Sequence, residues 1–122
     1  MPYPERDMKR YAAAIVLLLV ACGGDRPSRA DWMAEVWVPM RDAIPVPTEA
    51  NEAACDEALG VVRDVSENLR PAPSTEIGDA ADEWVRKGEA LMFDCAAGDV
   101  EDYDSRYAEL LRAQNQVERL LG

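Results

Sequence analysis

Few side chains in this sequence could carry covalent or acid-base chemistry. It contains three cysteines and 24 acidic residues but no histidine. Without an imidazole it cannot build a Ser-His or Cys-His nucleophile pair, a His-ligated haem or a His-containing zinc site. The remaining nucleophile pair would join Ser66 or Ser105 to Lys87, but both serines lie in polar stretches with helical spacing. We therefore predict that the protein is not an enzyme and binds no cofactor.

Acidic residues dominate the charge. Lys and Arg number 13 against 24 Asp and Glu, a formal net charge of −11. Nucleic acid attracts clustered Lys and Arg, so we predict no nucleic-acid partner. The densest acidic cluster, Asp99, Glu101, Asp102 and Asp104, offers oxygens of the kind that Ca²⁺ prefers, but it lacks the Gly and Glu of a helix-loop-helix calcium site. Capping of a helix start explains it more simply, and no metal site is predicted.

The N-terminal residues have the three-part layout of an export signal. Three basic residues between positions 6 and 10 precede an apolar run, 12–20, which is shorter than the roughly 20 residues of a transmembrane helix. The run leads into Leu19-Val20-Ala21-Cys22. These four residues resemble the lipobox of bacterial lipoprotein precursors, which reads Leu, a small or apolar residue, Ala or Gly, and then Cys.

The resemblance implies cleavage before Cys22 and attachment of lipid to that cysteine. Residues 1–21 would then be a signal peptide, 22–28 the lipidated Cys and a short tether, and 29–122 the folded domain. Both Met1 and Met8 remain candidate starts of the signal. Several acyl chains anchor a protein stably where one chain is marginal, so the protein is predicted to be exported and attached to a membrane.

The residues that follow Cys22 bear on which membrane that is. In lipoproteins of Gram-negative bacteria, Asp at the next position favours retention in the inner membrane, whereas this sequence has Gly23 and Gly24. The resemblance therefore implies the outer membrane, facing the periplasm, in a Gram-negative cell. In any other bacterium it implies the outer face of the cell membrane.

Pro and Gly residues divide the remaining sequence into four segments of helical length, with breaks at 45–47, 70–73 and 98–99. Apolar residues recur within the segments at alternating steps of three and four, the spacing of one helix face. The last segment is clearest, with Val100, Tyr103, Tyr107, Leu110, Gln114, Val117 and Leu121. Short connections make successive helices antiparallel. The sequence thus predicts an all-α, monomeric, up-down-up-down four-helix bundle following a cleaved lipoprotein signal peptide.

Single residues sharpen this prediction. Thr48, Ser74 and Asp99 are predicted to cap the starts of the second, third and fourth helices, because each follows a Pro or Gly and precedes acidic residues. Pro39 removes one backbone donor inside the first segment, which predicts either a kink there or a fresh helical start with Pro39 at its first position.

The apolar residues that recur along one face of each segment form what we call its apolar stripe. The three tryptophans and Gln114 are assigned by their place relative to these stripes. Trp37 and Trp84 fall on the stripes and are predicted to be core residues, whereas Trp32 lies beside its stripe and is predicted to be exposed. Gln114 interrupts the last stripe and is predicted to be a buried, hydrogen-bonded amide.

Two cysteines, Cys55 and Cys95, remain once Cys22 is assigned to lipid. An exported compartment oxidises thiols, so this pair is predicted to form a disulfide, with two buried free thiols as the alternative. The register is imperfect, because 14 residues separate Cys55 from Leu69 and 20 separate Thr75 from Cys95. The mismatch of about 9 Å shrinks if the third helix becomes regular only near Ile77, or if the loop climbs along the hairpin.

Three functions fit these observations. The first is a non-catalytic, lipid-anchored module of the cell envelope that presents an acidic helical surface to a protein partner. The second is an acidic inhibitor or immunity-type protein that neutralises a cationic exported enzyme, favoured by electrostatic steering. The third is a carboxylate-rich binder of divalent cations. The first assumes least.

Overall fold

Residues 25–122 are described by a computed structural model, and helices account for 76% of them. This range contains no β-strand, and four helices pack against one another, so the all-α prediction is confirmed. The predicted signal peptide, 1–21, and Cys22 lie outside the described residues. Between residues 25 and 122, no helix combines the length and apolar character needed to cross a bilayer.

The first of the four helices is built from three consecutive pieces. They are α1 (Arg29–Trp32), a π-helical turn (Met33–Trp37) and α2 (Val38–Ala43). A short 3₁₀ turn (Pro47–Glu49) leads to α3 (Glu52–Ser66), which is followed by α4 (Thr75–Ala96) and α5 (Tyr103–Leu121).

The π-helical turn accommodates Pro39. The backbone N–H of Val38 donates to the Met33 carbonyl oxygen five residues earlier, and α2 begins at Val38 with Pro39 in its first turn. The three pieces run on as one helix, and the π-helical turn lies directly before the proline, which lacks a backbone donor. Pro39 is the second residue of α2, so the predicted fresh start with Pro39 at the first position is not what the structure shows.

The helix starts agree with the predicted caps at one position out of three. The Ser74 hydroxyl accepts a hydrogen bond from the Ile77 N–H, as predicted for the start of α4. Thr48 lies instead within the 3₁₀ turn, and α3 is capped by Asn51. The prediction of Thr48 as the cap is wrong because Pro47 starts a separate 3₁₀ turn, and α3 begins only after that turn.

The predicted cap at Asp99 is also wrong, because the end of α4 uses this residue. Gly98 adopts the left-handed conformation, with φ of 74°, and the Asp99 N–H donates back to the Asp94 carbonyl oxygen at 2.8 Å. This closes the helix end in the manner of a Schellman motif. The next helix begins later, at Tyr103.

The core is apolar and centred on tryptophans. Trp37 and Trp84 are fully buried, as predicted, and their rings meet edge to face with centroids 5.0 Å apart. The prediction that Trp32 is exposed is wrong: the ring is 1% exposed and lies parallel to that of Trp37. A stretch of chain that the sequence suggested was only a loop covers it. Gln114 is half-buried rather than buried.

That covering stretch is the connection between α3 and α4, residues 67–74. Its Leu69 and Ala72 side chains are buried in the core. The peptide bond between Arg70 and Pro71 is cis, and the Arg70 guanidinium bonds to Asp79 and Asp82 on α4. The connection therefore packs as part of the domain.

Ion pairs and close packing join the remaining neighbours. Arg106 near the start of α5 bonds to Asp94 near the end of α4 at 2.8 Å. Further along the same pair of helices, Leu110 packs close to Gly88. Glu118 near the end of α5 accepts hydrogen bonds from Trp37 and Arg41 on the first helix.

Candidate functional site

The two cysteines retained in the folded domain meet at one end of the helices. Cys55 in the first turn of α3 and Cys95 at the end of α4 form a disulfide, with Cα atoms 5.8 Å apart. Both side chains are buried. The bond therefore closes a loop of 40 residues and fixes the start of α3 against the end of α4. Cys22, the predicted lipidation site, lies outside the described residues.

The disulfide end carries most of the negative charge. We call it the acidic end and define it as residues 41–57 and 92–106, which hold ten acidic residues and only two basic ones, Arg41 and Arg106. The opposite end, residues 25–34, 63–82 and 115–122, holds eight acidic residues and five arginines. The net charges are thus −8 and −3, so the electrostatic field is strongest at the acidic end.

An open groove of about 460 Å³ runs along the surface of this end. We call it the acidic groove. It lies between the end of α2, the 3₁₀ turn and one face of α3, and it is lined by Asp42, Ala43, Ile44, Pro45, Val46, Glu49, Ala54, Glu57, Ala58 and Val61. The lining is therefore apolar except for three carboxylates, all of which are exposed.

Local sequence explains why the groove has a defined shape. Pro45 and Pro47 restrict the backbone on both sides of Val46 to extended conformations. The hydroxyl of Tyr103, at the start of α5, donates a hydrogen bond of 2.7 Å to the Pro45 carbonyl oxygen. Burial raises the pKa of Tyr103 to about 12, so the phenol keeps its proton and stays a donor even above pH 10, where a free tyrosine ionises. The wall of the groove is thereby held against the helices.

The three carboxylates differ in how they are neutralised. Asp42 pairs with Arg41 at 3.0 Å, and Arg41 also bonds to Glu118. Hydrogen bonding to Glu118, and then to Asp42, raises the pKa of the Arg41 guanidinium above its usual value. Glu49 and Glu57 form no ion pair with any residue between 25 and 122. The acidic groove thus offers, within the described part of the chain, two carboxylates without an ion pair beside an apolar floor.

The residues that could have formed a nucleophile pair are occupied elsewhere. The Ser66 hydroxyl donates to the Arg63 carbonyl oxygen, and the Lys87 ammonium lies 3.6 Å from Glu83. Ser105 is exposed on the first turn of α5. The described structure brings none of these three side chains together.

Three carboxylates of the predicted capping cluster lie between α4 and α5, and the fourth, that of Asp104, lies in the first turn of α5. Asp99, Glu101, Asp102 and Asp104 are all exposed. Among residues 25–122, no group of three or more His, Cys, Asp or Glu side chains is arranged to hold a metal ion.

Sequence reasoning missed the acidic groove. It treated the segment Pro45-Val46-Pro47 only as a helix break, although an apolar residue between two prolines is an unusual loop composition. Asp42 and Glu49 flank this segment in the sequence, but nothing in their spacing places Glu57 of α3 beside them. No protein-family model, curated protein sequence or solved structure matches this chain.

Proposed function

We propose that this protein is a non-catalytic, lipid-anchored module of the bacterial cell envelope that presents its acidic end to a protein partner. The observation that carries the proposal is the position of the lipobox-like motif relative to the charge of the domain. Cys22 precedes Arg26 by four residues, and Arg26 bonds to the Ala72 carbonyl oxygen at the end opposite the acidic end.

The anchor would hold that opposite end close to the bilayer. Four residues span at most about 14 Å when fully extended. The 22 residues of α4 extend about 33 Å along its axis. The acidic end would therefore project on the order of 30 Å from the lipid headgroups. Salt screens the interaction between charges over that distance.

The charge distribution suits this orientation. The membrane-proximal end has the smaller net charge, −3 against −8, so anionic headgroups would repel it less than they would repel the acidic end. A projecting surface with a net charge of −8 is then free to attract a cationic partner.

The location follows from the same residues. Gly23 and Gly24 after Cys22 favour the outer membrane, with the domain facing the periplasm, if the cell is Gram-negative. In a cell with one membrane the domain would stand on its outer face. Residues 1–21 would be removed, 22–28 would form the anchor and tether, and 29–122 the domain.

We also propose that the four helices form an up-down-up-down monomeric bundle. Three end-to-end contacts support it: the disulfide from the start of α3 to the end of α4, Arg106 of α5 on Asp94 of α4, and Arg29 of α1 on the Leu121 carbonyl oxygen of α5. Each contact joins the beginning of one helix to the end of another.

The anchor is tested by expressing the full chain and Cys22→Ser in a bacterial host. We expect the unchanged chain in the membrane fraction with an acylated N-terminal Cys22, detected by mass spectrometry of the N-terminal peptide. Cys22→Ser should lose both the acyl mass and the membrane attachment. The same membrane fraction and the same mature N-terminus for both proteins would refute the anchor.

A matched control is Gly23→Asp, which keeps Cys22 intact. It should remain acylated and membrane-bound, and in a Gram-negative host it should move from the outer to the inner membrane. Crosslinking in intact membranes then tests for the protein partner, which should be recovered with the unchanged chain. If no crosslinked partner is recovered from any surface position tested on the acidic end, an interaction role is contradicted.

The charge distribution also favours a second candidate, an inhibitor or immunity-type protein for a cationic exported enzyme. Ten acidic residues against two arginines at one end would steer such an enzyme to this surface. Loss of a basic hydrolase's activity on mixing, reversed by raised salt, would distinguish this role from that of a passive module.

A further inference from the structure

Val46 marks the floor of the acidic groove as an unpartnered apolar surface. Its side chain is 41% exposed, and among residues 25–122 the only other large apolar residue that is exposed is Phe93. Most apolar side chains elsewhere in the domain are buried or half-buried. Half-buried Ile44, Ala54 and Val61 extend the apolar strip around Val46. The groove volume of about 460 Å³ falls in the range of ligand-binding pockets and is large enough for several side chains of a bound segment.

The charge around this strip selects the occupant. Glu49 and Glu57 form no ion pair with a basic residue between 25 and 122, and the surrounding end has a net charge of −8. An anionic or purely apolar segment would have to desolvate these carboxylates without neutralising them. A segment with Lys or Arg beside an apolar residue would bury the strip and supply the missing cations at once.

The walls of the groove are already fixed. The disulfide holds α3, the two prolines restrict the segment that carries Val46, and Tyr103 bonds to the Pro45 carbonyl oxygen. The Asn51 side chain accepts from the Ala54 N–H and fixes the first turn of α3. A partner would therefore pay little to order this surface, which favours binding.

We propose that the acidic groove binds a short basic segment of the partner protein, with an apolar side chain of that segment on Val46 and flanking Lys or Arg side chains on Glu49 and Glu57. This inference rests on the proposed function for the presence of a protein partner. The groove itself lies in the domain, so binding does not depend on the lipid anchor.

The test uses the full chain in a mild non-ionic detergent and three fluorescent peptides. The first peptide alternates Lys and Val, the second replaces every Val by Ser, and the third replaces every Lys by Glu. Fluorescence anisotropy measures the Kd of each. We expect the first peptide to bind most tightly. The Kd of the second peptide should be at least about tenfold higher, a difference of about 1.4 kcal/mol. The third peptide should not bind.

Variants of the groove then locate the binding. Glu49→Gln with Glu57→Gln should raise the Kd about tenfold, and Val46→Ser should raise it severalfold without changing the fold, because all three side chains are exposed. The matched control is Asp99→Asn with Glu101→Gln, which removes the same charge from the same end outside the groove. It should change the Kd by less than about twofold, because exposed and distant charges are screened by salt.

Three results would overturn the proposal. Equal weakening by the groove and control variants would assign the attraction to the overall charge. Equal binding of the Val and Ser peptides would show that the apolar strip takes no part. No binding of the first peptide would exclude a basic segment. Cys22→Ser should bind the first peptide as the unchanged chain does, so failure of the anchor and failure of the groove are separate outcomes.

Discussion

Trp32 and Leu69 lie 37 residues apart in the sequence and are joined by a buried hydrogen bond. The indole Nε1–H of Trp32 donates to the Leu69 carbonyl oxygen at 3.0 Å. The two residues are 1% and 3% exposed. A buried carbonyl left without a donor is costly, so this bond ties the first helix to the connection between α3 and α4.

Removing this donor without changing the ring should destabilise the domain. Benzothienylalanine, in which sulfur replaces the indole N–H, can be incorporated at position 32. We expect the free energy of unfolding to fall by about 1 to 3 kcal/mol, because the Leu69 carbonyl loses its donor. Urea unfolding of the oxidised protein measures the loss.

Trp84 provides the matched control for this substitution. Its Nε1 is buried and has no acceptor among residues 25–122. The same analogue at position 84 should leave the free energy of unfolding unchanged or raise it, because no hydrogen bond is lost. Equal losses at positions 32 and 84 would contradict a stabilising role for the bond to Leu69.

The disulfide between Cys55 and Cys95 should contribute strongly to stability. Closing a loop of 40 residues reduces the entropy of the unfolded chain, which corresponds to about 3 to 4 kcal/mol. Cys55→Ala with Cys95→Ala should lower the free energy of unfolding by that order, measured in urea. Alkylation of the oxidised protein under denaturing conditions, without reductant, should add no alkyl group to either cysteine, whereas two added groups would contradict the bond.

Apolar spacing predicted where the helices lie, because burial of one face is a local property of the sequence. Leu110, Val117 and Leu121 of the last stripe are buried, as predicted. The prediction of an exposed Trp32 is wrong because apolar spacing indicates only which face of a helix packs against another helix. The connection that holds Leu69 lies against Trp32, and whether a connection folds back over a core depends on contacts distant in the sequence.

The disulfide register shows the same limit. Cys55 lies 11 residues before Ser66, where α3 ends, whereas Cys95 lies 20 residues after Thr75, where α4 begins. The difference of nine residues is about 13 Å at 1.5 Å per residue. Residues 67–74 span it, so the loop climbs along the hairpin, and the alternative of a helix regular only from Ile77 is wrong.

The acidic groove was beyond sequence reasoning for a related reason. Asp42, Val46 and Glu49 are close in the sequence, but Glu57 joins them only because α2 packs against α3. α3 is capped by Asn51, whereas the sequence pattern predicts Thr48, because Thr48 follows Pro47 and precedes acidic residues.

Arg41 and Glu118 should couple the first helix to α5. The Arg41 guanidinium bonds to Glu118 at 3.1 Å, and the Trp37 indole donates to the same carboxylate oxygen at 3.2 Å. The two ionic side chains are about one third exposed, 31% and 34%, so we expect a coupling energy of only about 0.5 to 1 kcal/mol. A double-mutant cycle with Arg41→Ala and Glu118→Ala measures it.

Trp37 makes the single variants unequal. Glu118→Ala also removes the acceptor of the Trp37 indole, whereas Arg41→Ala leaves that hydrogen bond intact. Glu118→Ala should therefore lower the free energy of unfolding more than Arg41→Ala does. The reverse order, or a coupling energy of zero, would show that this contact does not hold the first helix to α5.

The hydrogen bond from Tyr103 to Pro45 should make stability depend on alkaline pH. Burial raises the pKa of Tyr103 from 10.0 to about 12, so the folded state holds this proton more tightly than the unfolded state. The stabilisation is complete below pH 10, falls as the pH rises, and is lost through about pH 12.

Tyr103→Phe removes both the hydrogen bond and this titration. At neutral pH the variant should be less stable by about 0.5 to 1.5 kcal/mol, and the difference should shrink as the pH rises from about 10 towards 12. Tyr107→Phe, whose ring lies against Tyr103 with centroids 6.0 Å apart, is the matched control because it leaves the bond to Pro45 in place. Urea unfolding at a series of pH values measures all three proteins, and a difference between the unchanged chain and Tyr103→Phe that stays constant up to pH 12 would contradict a buried, proton-holding phenol at this wall of the acidic groove.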